Sequence, residues 1–248
     1  MRAKSERAGR LLEAKDLPEG GIEETIAFEN DLARQKLQEG LNMYRSGWAK
    51  VTIKELVQNA WDGVDAAIYR GEVPEGSGRI EVTIDQNDRS ITVSDNGSGM
   101  LRDVVKEAFF TASGSYKGDL PPSRRSGGYG KAKMGFMFGS RALELTTIRD
   151  GQKTTARVTP DIIEAGKIRL KTTPTTEPNG TSVKVWAFDK YTVSAGTANQ
   201  YVATIDLPSH YDRNPVEFFQ KPLIGDVEIV ETHIDHSGTV HSRPAGIT

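Results

Sequence analysis

The chain contains no cysteine, which excludes disulfide bridges and thiolate metal sites and fits a reducing compartment. No apolar run approaches the roughly 18 residues needed to cross a bilayer. The N-terminal Met1-Arg2-Ala3-Lys4-Ser5-Glu6-Arg7 is charged and has no apolar signal core. A cytoplasmic protein without membrane attachment is therefore the expectation. An excess of one charge is missing too: the net charge of −2 exerts no global pull toward nucleic acid, so DNA contact is not supported by net charge and would need a local patch. One such patch is Lys117, Arg124, Arg125, Lys131 and Lys133, of which Arg124 and Arg125 could as well be a solvated flexible loop. Neither Gly-x-x-x-x-Gly-Lys-Ser/Thr nor a strand followed by Gly-x-Gly-x-x-Gly is present, which removes the Walker and Rossmann nucleotide sites. What remains is 248 residues, 36% hydrophobic and 27% charged, enough for one large domain or one domain with an appendage.

The segment Glu55-Leu56-Val57-Gln58-Asn59-Ala60-Trp61-Asp62, placed on a helix, sets Glu55, Asn59 and Asp62 on one face at i, i+4 and i+7. Ile53, Leu56, Val57, Ala60, Val64 and Ala67 make the rest of this helix apolar, so the polar stripe interrupts a largely buried element. A buried carboxylate beside a buried amide needs partners, which a metal, water or ligand would supply. A plain amphipathic helix with a polar solvent face would give the same pattern.

A second segment, Ser90 to Met100, runs an alternating strand into Asp95-Asn96-Gly97-Ser98-Gly99. Glycine permits positive φ and close backbone approach, so the chain can turn while Asp95 stays fixed at the strand end, able to accept an amino-group hydrogen bond. In a third, Ser126 to Phe136, glycines lead into the apolar Met134, Phe136, Met137 and Phe138 and read as a loop opening a helix. Free amides at such a helix start, with Lys131 and Lys133 beside them, favour polyphosphate. A fourth, Asn179-Gly180-Thr181 and the alternating residues after it, reads as a turn feeding a strand.

In this order, across roughly residues 40 to 190, the segments resemble the Bergerat-fold or GHKL ATPases: gyrase B subunits, ninety-kilodalton heat-shock chaperones, histidine kinases and MutL-type repair proteins. The resemblance implies a water-activating glutamate at Glu55 and a magnesium-ligating asparagine at Asn59, with Asp62 near the nucleotide. It further implies that Asp95 takes the adenine amino group, that Gly97, Gly99 and Met100 shape the base pocket, and that Thr181 lies behind the base. Gly128, Gly130 and Lys131 would form the phosphate-facing end of an ATP lid at about residues 111–133, although this glycine segment departs from the family's commoner Gly-x-x-Gly-x-Gly form. The cofactors implied are ATP and Mg2+, the activity ATP hydrolysis, and the output a conformational or dimerisation switch with a second copy or a protein partner. The alternatives are a protein kinase of the histidine-kinase or anti-sigma type and a non-hydrolysing nucleotide sensor or inhibitor.

The expected fold is α+β, a two-layer sandwich with helices on one face of a mixed, mostly antiparallel sheet. Residues 1–22 read as a mobile N-terminal arm ending in the breaker Leu17-Pro18-Glu19-Gly20-Gly21, residues 23–190 as the ATP-binding domain, and residues 191–248 as an extension packed on or continuing it. Apolar spacing from Ile22 to Tyr44 suits a helix. Strands are expected at 79–85 and 90–94 about a Gln86-Asn87-Asp88-Arg89 turn, then at 143–149, 154–158, 167–173, 181–188, 201–207 and 227–234, with a short helix through Val104, Val105, Ala108 and Phe109. His233, His236 and His241 cluster near the end, but their spacing lacks the paired helical pattern of a metal site.

Overall fold

The computed structural model describes residues 14–27, 48–110, 136–188 and 227–244. Nine described strands form one sheet: β1 (Ile22–Ala27), β2 (Gly78–Asp85), β3 (Ser90–Asp95), β4 (Ala142–Arg149), β5 (Gln152–Val158), β6 (Lys167–Pro174), β7 (Gly180–Trp186), β8 (Val227–Ile234) and β9 (Val240–Pro244). Their spatial order is β1-β6-β5-β4-β7-β3-β2-β8-β9. Every neighbouring pair is antiparallel except β2 and β8, which run parallel. The sheet is therefore mixed and mostly antiparallel, as the alternating patterns predict.

Local chemistry sets the turns. Between β2 and β3 the Asp85 carboxylate accepts the amides of Asn87 at 2.9 Å and Asp88 at 3.0 Å, and Arg89 closes the turn at φ 53°. Asp150-Gly151 joins β4 to β5 as a two-residue loop with φ of 50° and 76°, the positive-φ turn whose twist matches a hairpin.

Helix α1 (Trp48–Tyr69) covers the buried side of the sheet, lying on β2, β3 and β7. Its apolar stripe, Ile53, Leu56, Val57, Ala60, Val64 and Ala67, is buried, and most of it joins the core formed with Ile80, Val82, Ile91, Val93, Val183 and Val185. A short helix α2 (Arg102–Val104) runs into a π-turn at Val105–Phe109, and α3 (Pro160–Ala165) links β5 to β6. Thr159 caps α3, proline occupies its first turn, and Gly166 ends it at φ 67°. Among the described residues no helix is long and apolar enough to cross a membrane.

The helix expected from Ile22 does not begin there: Ile22–Ala27 is β1, paired antiparallel with β6. Ile22 and Ile26 are four apart, a spacing that satisfies both the helical and the strand period, so the sequence pattern left the element undecided. Gly21 resolves it, because its φ of 74° turns the chain onto β6 so closely that a Cβ there would lie 2.3 Å from the Thr172 carbonyl oxygen. Just before it, Ala14–Asp16 forms a single 3-10 turn and Leu17 is buried. The rest of the expected Ile22–Tyr44 helix, the glycine loop with Gly128, Gly130 and Lys131, the lid and the expected strand at 201–207 lie outside the described residues.

Because Ile53 is fully buried beneath the sheet, Ile53→Ala should lower the unfolding free energy by about 2–5 kcal/mol. Chemical denaturation of the two proteins measures this.

Candidate functional site

Asp95 is the last residue of β3, between Ile80 of β2 and Thr181 of β7. Its carboxylate accepts the Gly97 amide at 2.9 Å and the Thr181 amide. Asp95 as a residue is half-buried, while its carboxyl group is surrounded by protein. Burial pushes its pKa up from 3.8 to about 7, against the opposing pull of those two amides.

The loop after Asp95 is pressed against two elements. A Cβ on Gly97 would fall 2.4 to 2.6 Å from backbone atoms of Gly63 and Val64, and the Ser98 amide donates to the Gly63 carbonyl at 3.0 Å. Gly99, at φ 64°, would put a Cβ 1.9 Å from the Ile148 carbonyl oxygen. Only glycine fits at either place. The next residue, Met100, donates its amide to the Thr147 hydroxyl at 2.8 Å. Thr147 Oγ1 lies 3.1 Å from Thr181 Oγ1 and donates to the Gly180 carbonyl at 3.3 Å. Asp95, Gly97, Gly99, Met100 and Thr181 thus form one constellation.

Thr147 belongs to it and was not picked out by sequence reasoning. The available signal was the alternation of β4, which puts a hydroxyl on the buried side after Leu143 and Leu145.

The polar stripe of α1 leads away from this constellation. Gly63 backs onto Asp95, with its Cβ position 3.7 Å from Asp95 Oδ1. At 1.5 Å per residue, Asn59 lies about 6 Å and Glu55 about 12 Å further along the helix axis. Asn59 is exposed, while Glu55 and Asp62 are half-buried. Burial raises the Glu55 pKa above the ordinary 4.5, partly offset by the charge of Lys54. An acid so placed is a stronger proton acceptor when ionised than a solvated glutamate. Away from this site, His233 faces the buried Glu231 two residues earlier on β8, and His241 lies 3.5 Å from Asp235.

Comparisons with known proteins give the family. Residues 48–192 match the family described as histidine kinase-, DNA gyrase B-, and HSP90-like ATPase. The chain belongs to this GHKL-type ATPase family. Among curated relatives it resembles the chaperone protein HtpG of Alkalilimnicola ehrlichii, 39% identical over 71 residues, covering 26% of this chain and 11% of that protein. HtpG of Escherichia coli is 34% identical over 89 residues, covering 34% of this chain and 14% of the relative. The matched stretches thus span only a small part of those relatives' length.

The raised pKa of Asp95 has a consequence for stability. A carboxyl that is harder to ionise folded than unfolded costs nothing below about pH 4, where both states are protonated. It becomes progressively destabilising as pH rises toward about 7. Asp95→Asn removes that titration. The melting temperature of the ligand-free variant should therefore gain on wild type between pH 4 and pH 7, in a series of thermal melts, and a pH-independent difference would refute the assignment.

Proposed function

We propose that this chain binds ATP with Mg2+ and hydrolyses it, using the nucleotide cycle as a conformational or dimerisation switch. The observation that carries the reading is the Asp95 constellation: a desolvated carboxyl aimed into a glycine-lined loop on the floor of the sheet, in a member of an ATPase family. Asp95 would accept the adenine amino group, Gly97, Gly99 and Met100 would bound the base, and Thr181 would sit behind it. With the base at Asp95, the helical rise sets Asn59 and then Glu55 toward the phosphates.

The donor set fits magnesium. Mg2+ takes one or two protein oxygens and fills its other positions with phosphate oxygens and water, so a single side-chain amide such as Asn59 suffices. The bound ion would neutralise charge on the phosphates. Glu55 would orient water and accept its proton, a contribution typically worth about a hundred- to ten-thousand-fold. Asp62 would face the nucleotide from the same stripe. Gly128, Gly130 and Lys131 are assigned to the phosphate end of a lid at about 111–133.

The ATP-binding domain is read as residues 23–190. The addition of β8 and β9 to the same sheet supports reading residues 191–248 as its continuation rather than a separate body. The partner is read as a second copy of the chain or a client protein, gripped in the ATP-bound state, with chaperone-like or DNA-topology and repair-like outputs. A protein kinase and a non-hydrolysing sensor are the competing readings.

Glu55→Ala should retain ATP binding and lose phosphate release, whereas Asp95→Asn should lose binding. Free-phosphate release with magnesium, run across protein concentration beside direct ATP titration, tests both. Turnover rising faster than linearly with protein supports a dimerising ATPase; labelled phosphate on protein supports a kinase; binding without release supports a sensor. Since burial raises the Glu55 pKa, the acid limb of wild-type turnover should have its midpoint above 4.5, the rate rising as the carboxylate ionises.

A further inference from the structure

The end of β4 grips the Asp95 loop at two points. Thr147 and Arg149 are two residues apart and share a strand face. Thr147 takes the amide of Met100, and Arg149 Nη1 donates to the carbonyl of Ser98 at 2.9 Å. Gly99 lies between those two points, against the carbonyl of the intervening Ile148. Both edges of β4 are already paired, to β5 and β7, so side chains and not a strand ladder hold the loop against it.

Arg149 is itself fixed. Its Nη1 and Nη2 donate to the two carboxylate oxygens of Glu72 at 2.6 and 2.8 Å, a fork-on-fork pair, and its Nε donates to Asp150 at 3.2 Å. Glu72 lies just beyond α1 and also accepts the Ser98 hydroxyl at 3.0 Å, while Arg70 Nη1 reaches that hydroxyl at 3.2 Å. Ser98 is only 5% exposed, and the Glu72 carboxyl is held below the ordinary range by its hydrogen bond from Arg149. The pair thus spans three parts of the pocket: the end of α1, the loop and the β4–β5 turn. The pair is solvent-exposed and contributes little to stability by itself; what it supplies is a fixed geometry for the Arg149 hydrogen bond to Ser98.

We infer that Arg149, locked by Glu72, is a positioning residue that holds the Gly97–Met100 loop in register with Asp95 and thereby sets affinity and selectivity for the adenine base. The inference rests on the nucleotide reading above. Asp95 accepts an amino group, and guanine offers a carbonyl oxygen at the equivalent edge, so discrimination depends on a base that cannot shift. A loosened loop lets it shift.

The test is titration of the intact chain with Mg-ATP and Mg-GTP, for wild type, Arg149→Met and Arg149→Lys, with amide exchange at Ser98 and Met100 followed without nucleotide. Arg149→Met should weaken ATP binding about tenfold, the scale of one lost charged hydrogen bond. It should bring the ATP:GTP affinity ratio toward one and speed exchange at both amides. Lysine keeps the charge but not the fork, so Arg149→Lys should fall between. A folded Arg149→Met with a wild-type ratio overturns the inference. Should that variant not fold, Arg149→Lys decides, and a wild-type ratio with unchanged exchange overturns it. Wild type that binds neither nucleotide refutes the nucleotide reading instead, which the wild-type titration alone reveals.

Discussion

The contact on which the site depends is backbone against backbone: Gly97 pressed onto Gly63 and Val64, with no room for a Cβ. It brings the loop after β3 onto helix α1 and leaves the Asp95 carboxyl in protein rather than water. Two amides, from Gly97 and Thr181, are its described hydrogen-bond donors, and they do not cancel the desolvation that lifts its pKa to about 7. The fold thus keeps a carboxyl where it is costly to ionise. Such placements persist because the surrounding core over-determines them, here the fully buried Val57, Val64, Ile80 and Ile91.

Helix α1 serves two purposes at once. One stripe fills the core and the adjacent one carries Glu55, Asn59 and Asp62. A site built on a packed helix inherits the rigidity of that packing, so the separations between Gly63, Asn59 and Glu55 are set by helical rise and not by loop conformation. Interior packing on one stripe and the polar groups on the next are inseparable here: a shift of α1 in its groove would move Glu55, Asn59 and Asp62 together relative to Asp95.

Much of this was legible. The stripe on α1, the Asp-x-Gly-x-Gly turn and the strands flanking Asp150-Gly151 and Asn179-Gly180 follow from local rules, because each is decided within a few residues. Ile22–Ala27 was not, since its spacing admits two periods and only pairing with β6 selects one. Thr147 and Arg149 also escaped notice. Each looks like an ordinary strand residue until the fold brings β4 beside a loop some 50 residues earlier, with Arg149 and Ser98 separated by 51 positions and Thr147 and Met100 by 47. Helix α3 had readable caps in Thr159-Pro160 and Gly166, but six residues give too short an apolar pattern to register.

The place of β8 carries the argument to the scale of the whole sheet. β2 lies beside β3, whose last residue is Asp95, and its other side is taken by β8, which arrives from residues 227–234 in parallel register from Gly78–Val227 to Asp85–Ile234. Without β8, β2 would be a sheet edge exposing unpaired amides and carbonyls next to the strand that carries the candidate base contact. Pairing over so long a sequence separation is slow to form, and it leaves β2 hydrogen-bonded on both sides. The C-terminal strands β8 and β9 therefore belong to the same sheet as the strand that ends at Asp95, with β2 between them.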